Sequence, residues 1–415
     1  MRRVLLIAFH FPPFGVGSGL RRTLKFAQYL PDYGWEATVL TVTPGAYPSV
    51  SERGAEEIPP GLDVRRALGL DAARHFAIGG RYPSRLALPD RWASWALTAV
   101  PYGWWLARRL QPDVIFSTYP IATAHRIGLK LKQLTGLPWV ADFRDSMMDE
   151  HFPVGETLRS RFAELEQRVV AASDAMLFTS PAAISLYRDR YPDIDAGRYT
   201  LIRNGYDEED FQLAEREASI SLKDNADQLV LVHSGVLYPE ERNPVWFLDA
   251  LAALKRAGTV TADGLKVVLR ASGSDELYRR QAAERDVADI VAFEPPMPYF
   301  NALNETLHAD GLLIFQSASC NHQIPAKAYE YLRARKPVFS LTDAAGDTAR
   351  LLVGEGLDAV VPLDDPERIA AGLECFIADL RAGRTSLPSD EAVAAHSRHA
   401  LTGRLAEVLH RVSTA

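Results

Sequence analysis

Lys327 and Glu330 are the residues of this chain whose types and spacing best suit one particular chemistry. They follow an apolar run at residues 311–316, which has the pattern of a buried strand, and Pro325 ahead of them suits the first turn of a helix. Residues three apart lie on one helix face. A cation and a carboxylate there suit a nucleotide, because the cation can neutralise a diphosphate and the carboxylate can bind a ribose diol. An exposed Lys–Glu pair on a surface helix explains the spacing equally well.

Arg242 is a second cation that follows a strand pattern. Residues 229–234 are mostly apolar and are followed by Gly235. The polar residues 240–243 then lead into a helical pattern. An arginine near a helix N-terminus can clamp a phosphate through its fork of donors. Taken alone, the position favours a solvated loop cation.

Two strand ends in the first half of the chain are further candidates. Glycines within residues 11–22, Gly17 among them, precede a helical pattern, where backbone N–H groups can approach an anion. The spacing does not match the dinucleotide fingerprint, and an ordinary glycine turn is the alternative. Farther on, Asp142 and Asp145 flank Arg144 at the end of another strand pattern. These three side chains could face a cleft or equally form a structural ion pair.

Composition indicates a globular protein of two domains. The chain has 415 residues, 47% hydrophobic and 24% charged, and it has no apolar run of the about 20 residues needed to cross a bilayer. The apolar start after Met1 is cut short by His10 and prolines, so we interpret it as a first core strand and not as a signal peptide. Cys320 and Cys375 form no disulfide framework or metal-ligand spacing, which favours a cytoplasmic location.

Charge is distributed unevenly around the net value of −7. Residues 1–150 hold 18 Lys and Arg against 13 Asp and Glu, whereas the remainder holds 28 against 40. This balance argues against a nucleic-acid partner and allows contact with the inner face of an anionic membrane or with a phosphorylated acceptor. Basic residues and tryptophans in this part of the chain could form the membrane-facing surface. Alternatively, the tryptophans lie in the core or line an acceptor cleft. The residues concerned are Arg21, Arg22, Lys25, Trp92, Trp95, Trp104, Trp105, Arg108 and Arg109.

Strand patterns alternate with amphipathic helical patterns along the chain, which predicts parallel sheets covered by helices on both faces. The alternation restarts after a polar stretch at residues 208–228, so we place the domain boundary near residues 204–210. Residues 44–91 show no clear pattern. The predicted strands are residues 4–9, 37–42, 113–118, 139–143, 176–179, 200–203, 229–234, 266–271, 290–293, 311–316, 337–341 and 359–363.

The order and spacing of several segments resemble GT-B glycosyltransferases of glycosyltransferase family 4, in the branch that assembles polysaccharides. The segments are residues 11–22, 34–41, 112–115, 138–145, 204–207, 234–235, 324–332 and 336–338. The resemblance implies an α/β protein with two Rossmann-like, doubly wound parallel-sheet domains facing across a cleft. The domains would be an acceptor-side domain at residues 1–205, a nucleotide-sugar-binding domain at 206–389, and a C-terminal helix at 390–415 packing back across them.

The resemblance also implies roles for individual residues. Glu330 would bind the ribose, Lys327 and Arg242 the diphosphate, and the loop at residues 295–297 the base. The implied catalytic residues are Asp145, Arg242 and Lys327. The implied donor-binding residues are Gly17, Ser18, Gly235, Arg242, Pro296, Met297, His322, Lys327 and Glu330.

The implied activity is transfer of a hexosyl group from a UDP- or GDP-linked donor to a glycan, lipid-linked or small-molecule acceptor, with retention and without a metal or cofactor. His322 and Arg144 stand where the family often has a glutamate and a histidine, which leaves the donor sugar and the stereochemical outcome open. The alternatives are a nucleotide-sugar-binding scaffold without turnover, and another GT-B enzyme such as a phosphorylase or an epimerase.

Overall fold

The computed structural model describes residues 1–15, 18–51, 54–77, 79, 81–149, 152–218 and 220–414, with only the backbone of Ser18, Ser84 and Leu86. These residues form two compact units. The first unit is Met1–Asn204 with Arg398–Ala415, and the second is Gly205–Ser397. The end of the chain is therefore divided, because residues 390–397 belong to the second unit and the last helix to the first.

The strands come in two series, one in each unit. In the first unit they are β1 (Arg2–Ala8), β2 (Trp35–Val42), β3 (Asp63–Ala67), β4 (Val114–Thr118), β5 (Trp139–Arg144), β6 (Ala175–Phe178) and β7 (Tyr199–Leu201). In the second unit they are β8 (Leu229–Ser234), β9 (Leu265–Arg270), β10 (Val291–Glu294), β11 (Gly311–Phe315), β12 (Val338–Leu341) and β13 (Val360–Val361).

Helices lie between most of the strands. The first unit holds α1 (Ser18–Tyr29), α2 (Ala72–His75), α3 (Trp95–Leu110), α4 (Ala122–Thr135), α5 (Glu156–Ala172), α6 (Pro181–Arg190) and, from the end of the chain, α15 (Arg398–Thr414). The second unit holds α7 (Glu208–Arg216), α8 (Val245–Arg256), α9 (Asp275–Glu284), α10 (Tyr299–His308), α11 (Lys327–Ala334), α12 (Asp347–Gly354), α13 (Pro366–Ala382) and α14 (Asp390–Ala395).

Each unit is built on a parallel sheet whose strand order reverses once. The order is β3-β2-β1-β4-β5-β6-β7 in the first unit and β10-β9-β8-β11-β12-β13 in the second. Neighbouring strands pair in parallel in both sheets, for example Leu5 with Thr38 and Leu231 with Val267. The order reverses between β1 and β4 and between β8 and β11, and ligands of open α/β sheets bind beside the carboxyl ends of such strands.

The central strands are apolar on both faces because helices cover both. In β1, Leu5 and Ile7 belong to one buried cluster, while Val4 and Leu6 belong to the cluster that α15 joins on the other face. In β11, Leu313 and Phe315 join one cluster, and Leu312 and Ile314 join another. Successive side chains of a strand point to opposite faces, so a continuous apolar run fills two cores at once.

A buried ion pair joins α1 to β5 in the first unit. Both side chains of Arg22 and Asp142 are 1% exposed, and the guanidinium donates to the two carboxylate oxygens over 3.0 Å each. Thr118 Oγ1 donates to the same carboxylate over 2.9 Å. Of the two interpretations of the strand end at residues 142–145, the structural ion pair is therefore correct for Asp142, although its partner is Arg22 and not Arg144.

We expect Asp142→Ala to lower the free energy of unfolding of the first unit by about 3–5 kcal/mol, because it leaves the buried Arg22 cation without its carboxylate. Urea unfolding followed by circular dichroism measures the change. The matched control is Glu36→Ala, which breaks the Arg3–Glu36 pair, 52% and 58% exposed. That control should cost less than about 1 kcal/mol, and equal effects of the two variants would contradict the assignment.

Candidate functional site

The residues that follow β8 and β11 meet at the point where the order of the second sheet reverses. His233 and Gly235 lie at the end of β8, Arg242 lies in the loop before α8, and Lys327 opens α11. We call these four residues the cationic site. Pro325, predicted in the first turn of the helix, precedes the helix by two residues.

Lys327 is in direct contact with His233. Its Nζ lies 3.0 Å from His233 Nε2, and His233 Nδ1 lies 2.9 Å from the carbonyl oxygen of Leu313. A carbonyl can only accept, so Nδ1 carries the imidazole proton and Nε2 accepts from the ammonium. Burial, Lys327 and Arg242 hold the pKa of His233 well below its usual value, so the ring stays neutral.

The two cations of the site have no carboxylate partner. Within the part of the chain that the structure describes, no acidic side chain lies within ion-pair distance of Lys327 or Arg242. Burial first and Arg242 second lower the pKa of Lys327 to about 7, and Glu330 acts in the opposite direction. Two neighbouring cations without a counter-ion are arranged to receive an anion.

Arg242 is held by its backbone, which leaves donors of its side chain available. Its N–H donates to the Tyr238 carbonyl over 2.8 Å, and the loop is fastened by Ser317 N donating to Glu241 O over 2.7 Å. The guanidinium carbon lies 5.6 Å from the centre of the Tyr238 ring. Its Nε is buried and finds no hydrogen-bond partner among the described residues. A fixed backbone and a free N–H suit the recognition of an external oxyanion.

Gly235 is required by the approach of the lysine. Its φ is +133°, and a Cβ added there would lie 2.7 Å from Lys327 Nζ. Any other residue would displace the ammonium and strain the backbone. The glycine N–H is itself fixed, since it donates to Arg270 O over 2.9 Å.

Glu330 lies one turn along α11 from Lys327, as predicted, and it has a partner that the sequence did not reveal. Tyr299 Oη donates to Glu330 Oε1 over 2.9 Å. Tyr299 opens α10 directly after the predicted base-binding loop, in which Pro295 and Pro296 are exposed and Met297 is partly buried. The loop is anchored by Arg270, whose Nη1 donates to Pro295 O over 2.7 Å. One hydrogen bond thus connects the predicted ribose residue to α10, the helix that follows the predicted base-binding loop.

His322 lies in the loop between β11 and α11 and is partly buried. Its Nε2 lies 3.4 Å from Nε2 of Gln323. The backbone of this loop is held by Gln316, whose side-chain nitrogen donates to Cys320 O over 2.8 Å and to Gln323 O over 2.9 Å. The predicted role of His322 beside the donor stays a prediction.

The remaining predicted residues belong to the first unit. Asp145 follows β5 and is partly buried, Ser18 opens α1, and Gly17 lies outside the described residues. Next to Asp145, Arg144 has a φ of +60° and is 7% exposed, and its Nη1 donates to Tyr119 O over 3.1 Å.

A polar recess lies where β1, β4 and β5 end. Its lining includes His10, Gly19, Tyr119 and Arg144. A Cβ on Gly19 would lie 2.4 Å from Arg144 Nη1, so the guanidinium lies directly against the start of α1. Burial and the charge of Arg144 lower the pKa of His10 to about 4, which keeps this ring neutral.

The aromatic and basic residues proposed for a membrane surface separate into two groups. Trp95, Arg22 and Lys25 are 0%, 1% and 5% exposed, so the prediction is wrong for them: the tryptophan belongs to the core and Arg22 to the ion pair. Trp104 and Trp105 are 36% and 46% exposed on α3. The guanidinium carbon of Arg108 lies 4.3 Å from the ring centre of Trp104. That of Arg109 lies 5.3 Å from the ring centre of Trp105.

Two features are absent from the described residues. No group of three His, Cys, Asp or Glu side chains in them is placed to hold a metal ion. None of the helices they form is long and apolar enough to span a membrane.

Comparison with known proteins follows the same division of the chain. Residues 18–205 match the family model described as "Glycosyl transferase 4-like domain". No curated protein matches the sequence. Sucrose-phosphate synthase from Thermosynechococcus elongatus is similar in structure, with a TM-score of 0.69, 16% identity and 99% of each chain covered.

Two further solved structures are similar over almost the whole chain. HepE of Anabaena in complex with UDP has a TM-score of 0.69 and 16% identity, covering 99% of this chain and 100% of that one, and it has also been solved with UDP-glucose. WaaG, a glycosyltransferase involved in lipopolysaccharide biosynthesis, has a TM-score of 0.61 and 14% identity over 98% and 99%. The predicted GT-B fold is confirmed, and the resemblance to glycosyltransferase family 4 is confirmed over residues 18–205.

Because the pKa of Lys327 is about 7, this side chain is mostly neutral at pH 8 until an anion binds. Inorganic pyrophosphate should restore the ammonium, so its binding should take up a proton and weaken as pH rises from 6.5 to 8.5. Isothermal titration at pH 8 in buffers of different ionisation enthalpy measures this uptake. Lys327→Met should bind more weakly and take up less proton, and equal uptake by the two proteins would contradict the account.

Proposed function

We propose that this chain, a glycosyltransferase of the GT-B fold with a glycosyl transferase 4-like domain, transfers a sugar from a nucleoside-diphosphate sugar to a glycan, lipid-linked or small-molecule acceptor. The observation that carries the donor class is the pair of cations Arg242 and Lys327, which have no carboxylate partner among the described residues, with Glu330 one helical turn along α11 from Lys327. The UDP and UDP-glucose bound to HepE favour a uridine nucleotide over a guanosine one.

The donor is bound by complementary charge. The diphosphate oxygens accept hydrogen bonds from Lys327 Nζ and from the free Nε–H of Arg242, close to the N-terminus of α11. Glu330, oriented by Tyr299, accepts from the ribose hydroxyls. The base then lies against the loop at residues 295–297, next to the start of α10.

The same cations promote the reaction. As the bond between the anomeric carbon and the phosphate oxygen breaks, negative charge grows on the departing nucleoside diphosphate. Lys327 and Arg242 stabilise that charge, and they do so strongly because the site is partly buried. In a retaining reaction the departing phosphate oxygen takes the proton of the acceptor hydroxyl. Asp145, partly buried after β5, remains the proposed catalytic residue of the first unit.

Activity should not require a metal, because protein cations meet the charge of the leaving group. The test measures UDP released from a panel of UDP-sugars, with and without EDTA, in the presence of candidate acceptors. Release at the same rate under both conditions is expected. Complete loss on chelation, restored by Mg²⁺ or Mn²⁺, would contradict metal independence, whereas tight binding without any release would favour the scaffold.

Glu330→Ala should weaken UDP binding about tenfold or more, because a charge-assisted hydrogen bond is worth about 1.5–3 kcal/mol. Isothermal titration of UDP into the folded variant measures the loss. Glu374→Ala is the control, since that glutamate is exposed on α13 of the same unit. Tyr299→Phe should show a smaller loss, because it removes only the hydroxyl that orients Glu330. If Glu330→Ala binds UDP as the control does, the ribose assignment is wrong.

A further inference from the structure

The first unit contains a large apolar pocket that the donor site does not use. Its volume is about 810 Å³, within the range of pockets that enclose small molecules. Its apolar lining includes Leu88, Trp92, Ile121, Leu158 and Phe162. A sugar alone would leave most of this surface without a suitable partner, because its hydroxyl groups would lose hydrogen bonds to water there.

One wall of the pocket is held by hydrogen bonds. The carboxylate of Asp90 accepts from Thr123 N over 2.7 Å and from Trp92 N over 3.0 Å. Trp92 Nε1 donates to Ala46 O over 3.0 Å, and Ala72 N donates to Arg91 O over 2.8 Å. These bonds fasten residues 90–92 to α4, to Ala46 and to Ala72, so this wall is in place before any ligand arrives.

Another part of the lining comes from α5 and from Phe152, which precedes this helix in the chain. Leu158 and Phe162 lie on α5, and Phe152 lies edge-on to Phe162 with 5.7 Å between the ring centres. Phe152 is nevertheless 45% exposed, as expected of an aromatic ring at the mouth of a pocket. Large apolar surfaces left open to water commonly mark a binding site.

The apolar pocket adjoins the polar recess. Pro120 and Ile121, which follow β4, line both. On the recess side the lining is Arg144, His10 and Tyr119, whereas on the other side it is mainly aliphatic and aromatic. One continuous surface at the carboxyl ends of β1 and β4 is thus polar at one end and apolar at the other.

We propose that the acceptor is an amphiphile, with an alkyl or isoprenoid chain in the apolar pocket and its hydroxyl-bearing polar end at the side of that pocket where Pro120 and Ile121 meet the recess. This inference rests on the proposed function, and it narrows the acceptor from any glycan or small molecule to a molecule that carries an apolar chain.

Alkyl glucosides below their micellar concentrations test the pocket independently of any transfer. Methyl, butyl, hexyl and octyl β-glucoside are titrated into the full-length chain saturated with UDP, with glucose as the reference. Affinity should rise with chain length by up to about fourfold for each buried methylene. An affinity that does not change from glucose to octyl glucoside would overturn the proposal.

Three variants locate the binding. Leu158→Arg places a charge in the pocket and should abolish the dependence on chain length, whereas Leu158→Trp narrows the pocket and should reduce that dependence. Leu134→Arg introduces the same charge at a leucine that is 54% exposed on α4, outside the pocket, and should retain the dependence. Circular dichroism and the melting temperature confirm folding. An unchanged dependence in both folded Leu158 variants would overturn the site.

Failure of the amphiphile inference can be distinguished from failure of the proposed function. If no nucleotide sugar is turned over but octyl glucoside binds with this dependence, the proposed function fails and the pocket assignment stands. If the sugar is transferred, with release of UDP, to acceptors that lack an apolar chain as fast as to alkyl glucosides, the proposed function stands and the amphiphile inference is wrong.

Discussion

The second unit holds two cations close together that none of its described carboxylates pairs with, and the arrangement of its site follows from this constraint. Burial and mutual repulsion disfavour the protonated form of Lys327 and bring its pKa to about 7. His233 provides a neutral acceptor for the ammonium, fixed by its bond to Leu313, and Gly235 leaves room for it. An anionic ligand would remove the repulsion, so the free energy that this arrangement costs the empty protein is recovered on binding.

Two arginines that are buried elsewhere in the described chain do have carboxylate partners. Arg22 is paired with Asp142 over 3.0 Å, and Arg270 is paired with Glu305 over 2.6 Å through both carboxylate oxygens. Those pairs fasten helices to strands, and removing one partner would destabilise the fold. Arg22 and Arg270 thus have counter-ions within the protein, whereas Arg242 and Lys327, beside the carboxyl ends of β8 and β11, pair with none of the described carboxylates.

Most of the fold could be predicted from the sequence, because buried parallel strands need continuous apolar runs that stand out against amphipathic helices. β3 was missed because it lacks such an apolar run. It is an edge strand, and Asp63, Arg65 and Arg66 give it no apolar run. In the site, Lys327, Glu330 and Arg242 carry charges at strand-to-helix junctions and were recognisable. Tyr299 and His233 were not, since their roles depend on contacts between residues 31 and 94 positions apart.

The central claim is that Arg242 and Lys327 form a preformed binding site for a nucleoside diphosphate. Isothermal titration of UDP and of uridine into the wild type and into Arg242→Gln/Lys327→Gln tests it most directly, with Arg256→Gln/Arg280→Gln as a control that removes two exposed cations of the same unit. Since each charge-assisted bond is worth about 1.5–3 kcal/mol, the site variant should lose about a hundredfold or more of its affinity for UDP and bind it little better than uridine. The control should bind UDP as the wild type does. If the site variant retains wild-type affinity for UDP, or if the wild type binds uridine as tightly as UDP, the account is contradicted.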